Sequence, residues 1–290
     1  MTKLKINFIA LVLLLFFRAA FLSVATGEEA GKNEKINLVI VFPGGPGDNK
    51  EIQRAIEKLD ETIAAAAGFA AEQLRVEYFN DGDKALAHLR KNPDSFVMGS
   101  LGFFLSNRDR LQLLPLARIE QAGGRNEHYY LIVKKGEYKT AADLKGKTVS
   151  GNTLYESGAF LSKIVFDGRF DAASHFRLEP TSRPLRAIRR LLKGETDAVL
   201  LDESQYRSLE RLPLFQEIGV VYTSPRLPEL GLMMTDTPRS RSRKDRLLSA
   251  FTGLNRTEEG AEVLSGFGLE GFEEVAPETF DGVIKKFEAQ

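Results

Sequence analysis

The chain has 290 residues, long enough for one large domain or two modest ones. At 43% hydrophobic and 28% charged it has the makeup of an ordinary globular protein, which excludes global disorder. Lysine plus arginine equals aspartate plus glutamate at 40 each, so there is none of the basic excess of a nucleic-acid binder, and the absence of cysteine excludes disulfides, thiolate catalysis, cysteine-ligated zinc and a lipid-modified N-terminal cysteine.

Residues 1–25 read as a signal peptide. Lys3 and Lys5 make a positive start, and residues 8–17 are an apolar run of ten. Ser23-Val24-Ala25 supplies small residues at the spacing a signal peptidase reads, with Ala25-Thr26-Gly27 as a second option. Arg18 interrupts the apolar stretch short of the roughly twenty residues a membrane span requires, and an uncleaved anchor is the alternative reading. Residues 1–25 hold Lys3, Lys5 and Arg18 and no acid, so without them 37 basic residues face 40 acidic ones, a net of −3. The expected location is the periplasm.

Residues 36–42 are apolar nearly throughout, as suits a strand buried on both faces of a parallel sheet. A glycine-rich turn over 43–48 leads into a helix over 51–67, with Ile52, Ala55, Ile56, Leu59 and Ile63 at helical spacing. A strand over 74–79, a helix over 81–92 stopped by Asn92-Pro93, and a short strand over 96–98 follow. This β-α-β-α-β order opens a doubly wound sheet. Residues 111–121 and 129–134 read as extended and lead into a second unit of the same kind. Its strands are expected over 148–150, 176–179 and 198–201, and its helices over 157–166, 184–192 and 204–209. Residues 218–223 and 230–234 are again extended, and helices near 241–255, 257–267 and 277–287 close the chain. The fold class is α/β: two doubly wound lobes, residues 35–125 with 230–290 and residues 126–229, joined by two crossings, with a cleft between them and a hinge.

The turn Pro43-Gly44-Gly45-Pro46-Gly47-Asp48-Asn49-Lys50 sits between a strand and a helix, but it matches neither GxxxxGK[ST] nor GxGxxG. It reads either as a plain turn or as a cleft wall lined with N–H groups through Gly44. The three histidines are scattered, with no HxxxH or HExxH pair and no GxSxG, so neither a metal site nor a hydrolytic triad is expected and the chain reads as no enzyme. Arg183, Arg186, Arg189 and Arg190 gather on one predicted helix. Such runs are commonly solvated, yet Arg183 lies between a strand end and Pro184, where a guanidinium can grip an anion in a forked geometry. Ser157 reads as a helix cap or as a ligand-holding hydroxyl, with Glu156 beside it complementing the helix dipole. Asp202, at the end of a strand, reads as a cap or as an acceptor for a ligand amine or hydroxyl.

An ordered set of motifs runs through this second unit: residues 131–134 after His128, the TAADLKGK stretch over 140–147, Ser157-Gly158, Gly194-Glu195-Thr196-Asp197-Ala198, Asp202, and VYTSP over 221–225. The set resembles the periplasmic solute-binding proteins of phosphate/phosphonate-type ABC transporters, and residues 258–272 look like the closing helix and glycine-phenylalanine element of that family. The resemblance implies a class II periplasmic binding protein fold, no cofactor, a small polar ligand and a membrane permease as partner. It also implies ligand contacts at Tyr155, Ser157, Gly158, Arg183 and Asp202 in one lobe and at Gly44, Ser100 and Phe103 in the other. The chain departs from the family pattern at the grip itself. Tyr155, Glu156 and Ser157 stand where the resemblance implies three hydroxyl residues holding phosphonate oxygens, Ser182-Arg183 stands for a serine-histidine pair, and Gly99-Ser100-Leu101-Gly102-Phe103 stands for G-P-x-x-Y. The scaffold carries over better than the ligand chemistry. A membrane sensor or interaction module on the same scaffold is the alternative function.

Overall fold

The computed structural model describes residues 35–47, 50–70, 72–121 and 126–289. The signal-peptide expectation for residues 1–25, and Asp48 and Asn49 of the glycine-rich turn, lie outside the described residues.

The expected β-α-β-α-β opening forms. Strand β1 (Ile36–Val41) lies between β2 (Leu74–Phe79) and β3 (Ser95–Gly99), parallel to both. Leu38 and Val39 point to opposite faces of β1 and both are fully buried, which explains its uninterrupted apolar sequence. Helix α1 (Lys50–Ala66) covers one face through Ile56, Leu59 and Ile63. Helix α2 (Gly82–Lys91) starts where the Asp81 carboxylate accepts from the amides of Asp83 and Lys84.

Helix α3 (Leu101–Leu111) is an addition to the sequence reading. Leu101 through Leu105 are all buried, so the run shows no polar stripe and no clear helical period. The chain continues into β4 (Leu113–Glu120), crosses over through β5 (Asn126–Glu127), and enters a second sheet at β6 (Tyr129–Lys134).

In this second sheet β7 (Thr148–Gly151) lies between β8 (Arg177–Pro180) and β9 (Ala198–Asp202), parallel to both. The arrangement repeats that of β2-β1-β3. The helix predicted over 157–166 is a π-helix from Phe160–Val165, with Phe160, Leu161, Ile164 and Val165 buried. Then come α4 (Ala172–His175), α5 (Pro184–Leu192), α6 (Glu203–Glu210) and β10 (Ile218–Thr223), which runs antiparallel to β6.

The chain returns through β11 (Leu227–Pro228), which pairs antiparallel with β5. The two crossings thus form a small ribbon of their own. Strand β12 (Leu232–Thr235) inserts antiparallel between β3 and β4, helices α7 (Pro238–Gly253) and α8 (Glu258–Gly266) follow, and β13 (Gly271–Glu274), unforeseen in the sequence, adds an edge beside β4. The strand orders are β13-β4-β12-β3-β1-β2 and β10-β6-β9-β7-β8.

Helix α9 (Asp281–Glu288) reaches across both sheets' territory. Arg108 of α3 pairs with Glu288, while Lys163 of the π-helix donates to the carbonyls of Phe287 (3.0 Å) and Ala289 (2.7 Å), and Lys286 pairs with Asp167. One hydrophobic cluster is continuous across the boundary, with Val41, Phe103 and Phe104 from the first sheet's side and Tyr129, Phe160 and Leu200 from the second.

Candidate functional site between the two sheets

Four loops that follow parallel strands converge where the sheets meet: 42–47 after β1, 80–82 after β2, Ser100 after β3, and 152–158 after β7. Ligands of open α/β sheets bind at this edge, because strand ends and helix starts present unpaired amides there. A cavity of about 750 Å³ opens at the junction, with Gly44, Gly102 and Phe103 on one side and Tyr155, Glu156 and Ser157 on the other. A second cavity of about 690 Å³ lies over β8 and α5, lined by Arg183, Arg186, Arg189, Arg190 and Lys193. Tyr155 and Ser182 line both.

Most of the predicted residues fall around these cavities. Gly44 has φ +72°, and a Cβ there would lie 2.4 Å from Cδ2 of Tyr155 and 2.7 Å from the Asn152 carbonyl oxygen. Glycine therefore serves both the left-handed turn and the close approach of the opposite loop. Ser100 caps α3, its hydroxyl accepting from the Phe103 amide at 3.0 Å. Phe103 is buried beneath the cavity wall. Tyr155 is exposed, at the divide between the two cavities. Ser157 caps its helix by accepting from the Phe160 amide at 3.2 Å, and its hydroxyl also bonds that of Ser106 at 2.7 Å. Gly158 opens the helix on the surface. Arg183 is exposed at the start of α5 and lines the outer cavity only. Asp202 caps α6, accepting from the Gln205 amide at 2.8 Å, and lines neither cavity.

The residue that joins the two sides is Glu156, expected from the sequence to complement the dipole of the helix beside it and noted as a departure from the family pattern. Ser100 donates to its Oε1 at 2.6 Å, and Gly102 gives it room, since a Cβ at Gly102 would stand 2.5 Å from Oε2. Burial pushes the Glu156 carboxyl up to about 7, against the bond from Ser100. Further acids lie behind it. Tyr129 donates to Glu127 at 3.0 Å, and burial with the nearby charges of Asp202, Glu229 and Glu156 holds Glu127 well above the usual carboxylate range. Burial also raises Asp202 to about 6 and Glu229 to about 7. Oε2 of Glu229 has no hydrogen-bond partner among the described residues.

The outer cavity is dominated by basic side chains. Arg190 is engaged by Glu179 (3.3 Å) and Glu195 (3.6 Å), whereas Arg183 and Arg186 make no ion pair among the described residues. Arg183, Arg186, Arg190 and Lys193 share one face of the helix, opposite the buried Ile188, with Ala187 buried at its edge. Among the described residues no group of histidine, cysteine, aspartate and glutamate could hold a metal ion.

Two three-layered halves around a double crossing, with a polar cavity where their strand ends meet, define a two-lobed solute-binding architecture. The sequence matches the family described as the periplasmic substrate-binding protein of phosphonate ABC transporters over residues 48–280, and the chain belongs to that family. It is accordingly a solute-binding protein of an ABC transporter. No curated protein matches. Among solved structures, XAC2383 from Xanthomonas citri bound to chloride ion superposes with a TM-score of 0.69 at 15% identity, covering 87% of this chain and 95% of that one. A binding-protein component of an ABC phosphonate transporter from Pseudomonas aeruginosa has a TM-score of 0.66 at 15% identity, covering 88% and 86%. PhnD1 from Prochlorococcus marinus in complex with methylphosphonate has a TM-score of 0.63 at 12% identity, covering 88% and 97%. These likenesses establish the class II binding-protein fold, and the sensor alternative draws no support from them.

Proposed function

We propose that the chain is exported, with residues 1–25 as its signal, and captures a small polar solute between a lobe of residues 35–125 and 230–290 and a lobe of residues 126–229, for delivery to a membrane permease. It carries out no catalysis in this reading. The observation that carries the proposal is the inner cavity, lined by Gly44 and Phe103 from one lobe and by Tyr155 and Ser157 from the other, because a solute there touches both lobes and couples binding to closure about β5 and β11; the outer cavity, which shares Tyr155 and Ser182 with it, belongs to the second lobe alone. Gly44, Ser100 and Phe103 form the wall of one lobe. Tyr155, Ser157 and Gly158 form the wall of the other, and Asp202 supports it as the cap of α6. Arg183 offers a guanidinium to an anionic group of the solute from the outer side.

Calorimetric and thermal-shift titration against phosphate, methylphosphonate, sulfonates, carboxylates and amines tests this. One class is expected to give a saturable response. Silence across the whole panel from a folded protein would sink solute capture. For an anionic solute, Arg183→Ala is expected to weaken binding at least about tenfold, the loss of one charge-assisted bond worth roughly 1.5–3 kcal/mol. N-terminal sequencing of the mature protein is expected to find a start after Ala25.

A further inference from the structure

Two helix starts come together at the inner cavity. Ser100 caps α3, which is eleven residues long, and Ser157 caps the helix that begins at Gly158. The first turn of a helix concentrates partial positive charge, so this junction favours a negative group. The chain supplies one itself. Glu156 immediately precedes Ser157, yet its carboxylate is bonded to the cap of the other helix, Ser100, at 2.6 Å. Gly102, in the first turn of α3, has no side chain to hinder it, and Phe160 packs beneath, with its Cδ1 3.0 Å from where a Gly102 Cβ would stand. The neighbouring contacts run the same way across the boundary: Ser157 to Ser106, and the Tyr155 ring against Gly44.

We propose that Glu156 is an internal ligand: its carboxylate fills the anion position beside the two helix starts, latches one lobe to the other, and excludes oxyanions from that position. An oxyanion there would have to displace the carboxyl group from Ser100 and, once Glu156 has lost its proton, would meet a like charge at close range. The solute of the proposed function must then place any anionic group elsewhere, on the Arg183 side of Tyr155. The inference rests on that reading for its biological sense, but the latch is a property of the chain alone.

The test exploits the absence of cysteine. Spin labels at Lys91→Cys on α2 and Glu210→Cys on α6, both exposed positions, report the distance between lobes with no solute added. Small-angle scattering gives the radius of gyration in parallel. Glu156→Ala, and Ser100→Ala as a second variant that deletes the other end of the bond, are each expected to lengthen and broaden the distance distribution or to raise the radius of gyration. Identical distributions and radii in the wild type and both variants would overturn the latch. This readout needs no solute, so its failure is separate from a failure of solute capture. For the exclusion, wild-type protein is titrated with methylphosphonate and inorganic phosphate. Either no saturable heat, or a heat removed by Arg183→Ala, is the expected result. A saturable heat that survives Arg183→Ala overturns the exclusion.

Discussion

The inner and outer cavities share a wall and differ in charge: Lys84 and Arg110 balance most of Asp81, Asp83 and Glu156 around the inner one, whereas arginines and a lysine dominate the outer one. At the inner one, helix starts are met by the chain's own carboxylate, Glu156, with Glu127, Asp202 and Glu229 behind it. At the outer one, α5 begins with an arginine rather than an acid or hydroxyl cap, and Arg183 and Arg186 remain unpaired among the described residues. The difference teaches that the same structural feature, a helix start at the end of a parallel strand, can be satisfied internally or left for a solute. Which of the two occurs depends on one or two side chains, not on the fold.

The largest expected effect comes from removing the floor of the inner site. Phe160 is completely buried where the lobes meet, and Phe160→Ala is expected to cost about 3–5 kcal/mol in chemical denaturation, through lost burial and the cavity left behind. Gly44→Ala comes next. Its methyl group would stand 2.4 Å from the Tyr155 ring and the backbone would be held at φ +72°, so a loss on the order of 1–3 kcal/mol is expected, with the lobes forced apart in scattering. Ser100→Ala removes a helix cap and the donor to Glu156, and about 1 kcal/mol is expected by the same denaturation assay.

The acids of the inner site set a pH dependence with a definite sign. Burial raises Glu156 to about 7, Asp202 to about 6 and Glu229 to about 7, and Glu127 is raised further by its acidic neighbours. Raised carboxyl values mean that the folded state binds these protons more tightly than the unfolded chain does. That stability is fully present below the ordinary values near 4 and is lost as pH rises through 6 and 7. Tm is therefore expected to climb as pH falls from 8 to 5, and Glu156→Gln is expected to flatten the upper part of the climb. The groups bearing on Glu156 from the packed elements are Ser100 at the start of α3, Tyr129 and Glu127. A Tm independent of pH over that range would contradict the buried acidic cluster. The smallest effect on stability belongs to the outer cavity. Arg183 and Arg186 are exposed, so replacing both with alanine is expected to change stability by no more than about 0.5 kcal/mol for each, while any effect on solute binding appears in the titration.

Much of the scaffold was legible in the chain. The strands at 36–41, 74–79, 148–151 and 198–202 and the helix Pro184–Leu192 are written in apolar runs, helical spacing and proline or asparagine stops, all of them local signals. Helix α3 was not, because its first half, residues 101–105, is buried all round and its polar residues are gathered in the second half, so the run has no helical period; the serine at 100 ahead of an apolar run was the trace it left. Strand β13 is four residues on a sheet edge and owes its existence to β4. Of the predicted site residues, Gly44, Phe103, Tyr155 and Ser157 line the inner cavity and Arg183 the outer one, whereas Ser100, Gly158 and Asp202 line neither, Ser100 being bonded to Glu156 and Asp202 occupied as a cap.

By itself the sequence determined the two-unit α/β plan, the family, and the absence of serine or threonine at positions 155 and 156, since those are matters of local pattern and residue identity. Only the tertiary structure decided what replaced them. Glu156 and Ser100 are separated by 55 intervening residues and belong to different lobes, and nothing in either neighbourhood specifies that a carboxylate from one will settle on the helix start of the other. That pairing depends on how the sheets are set against each other by long-range burial, a quantity that no local window of sequence contains.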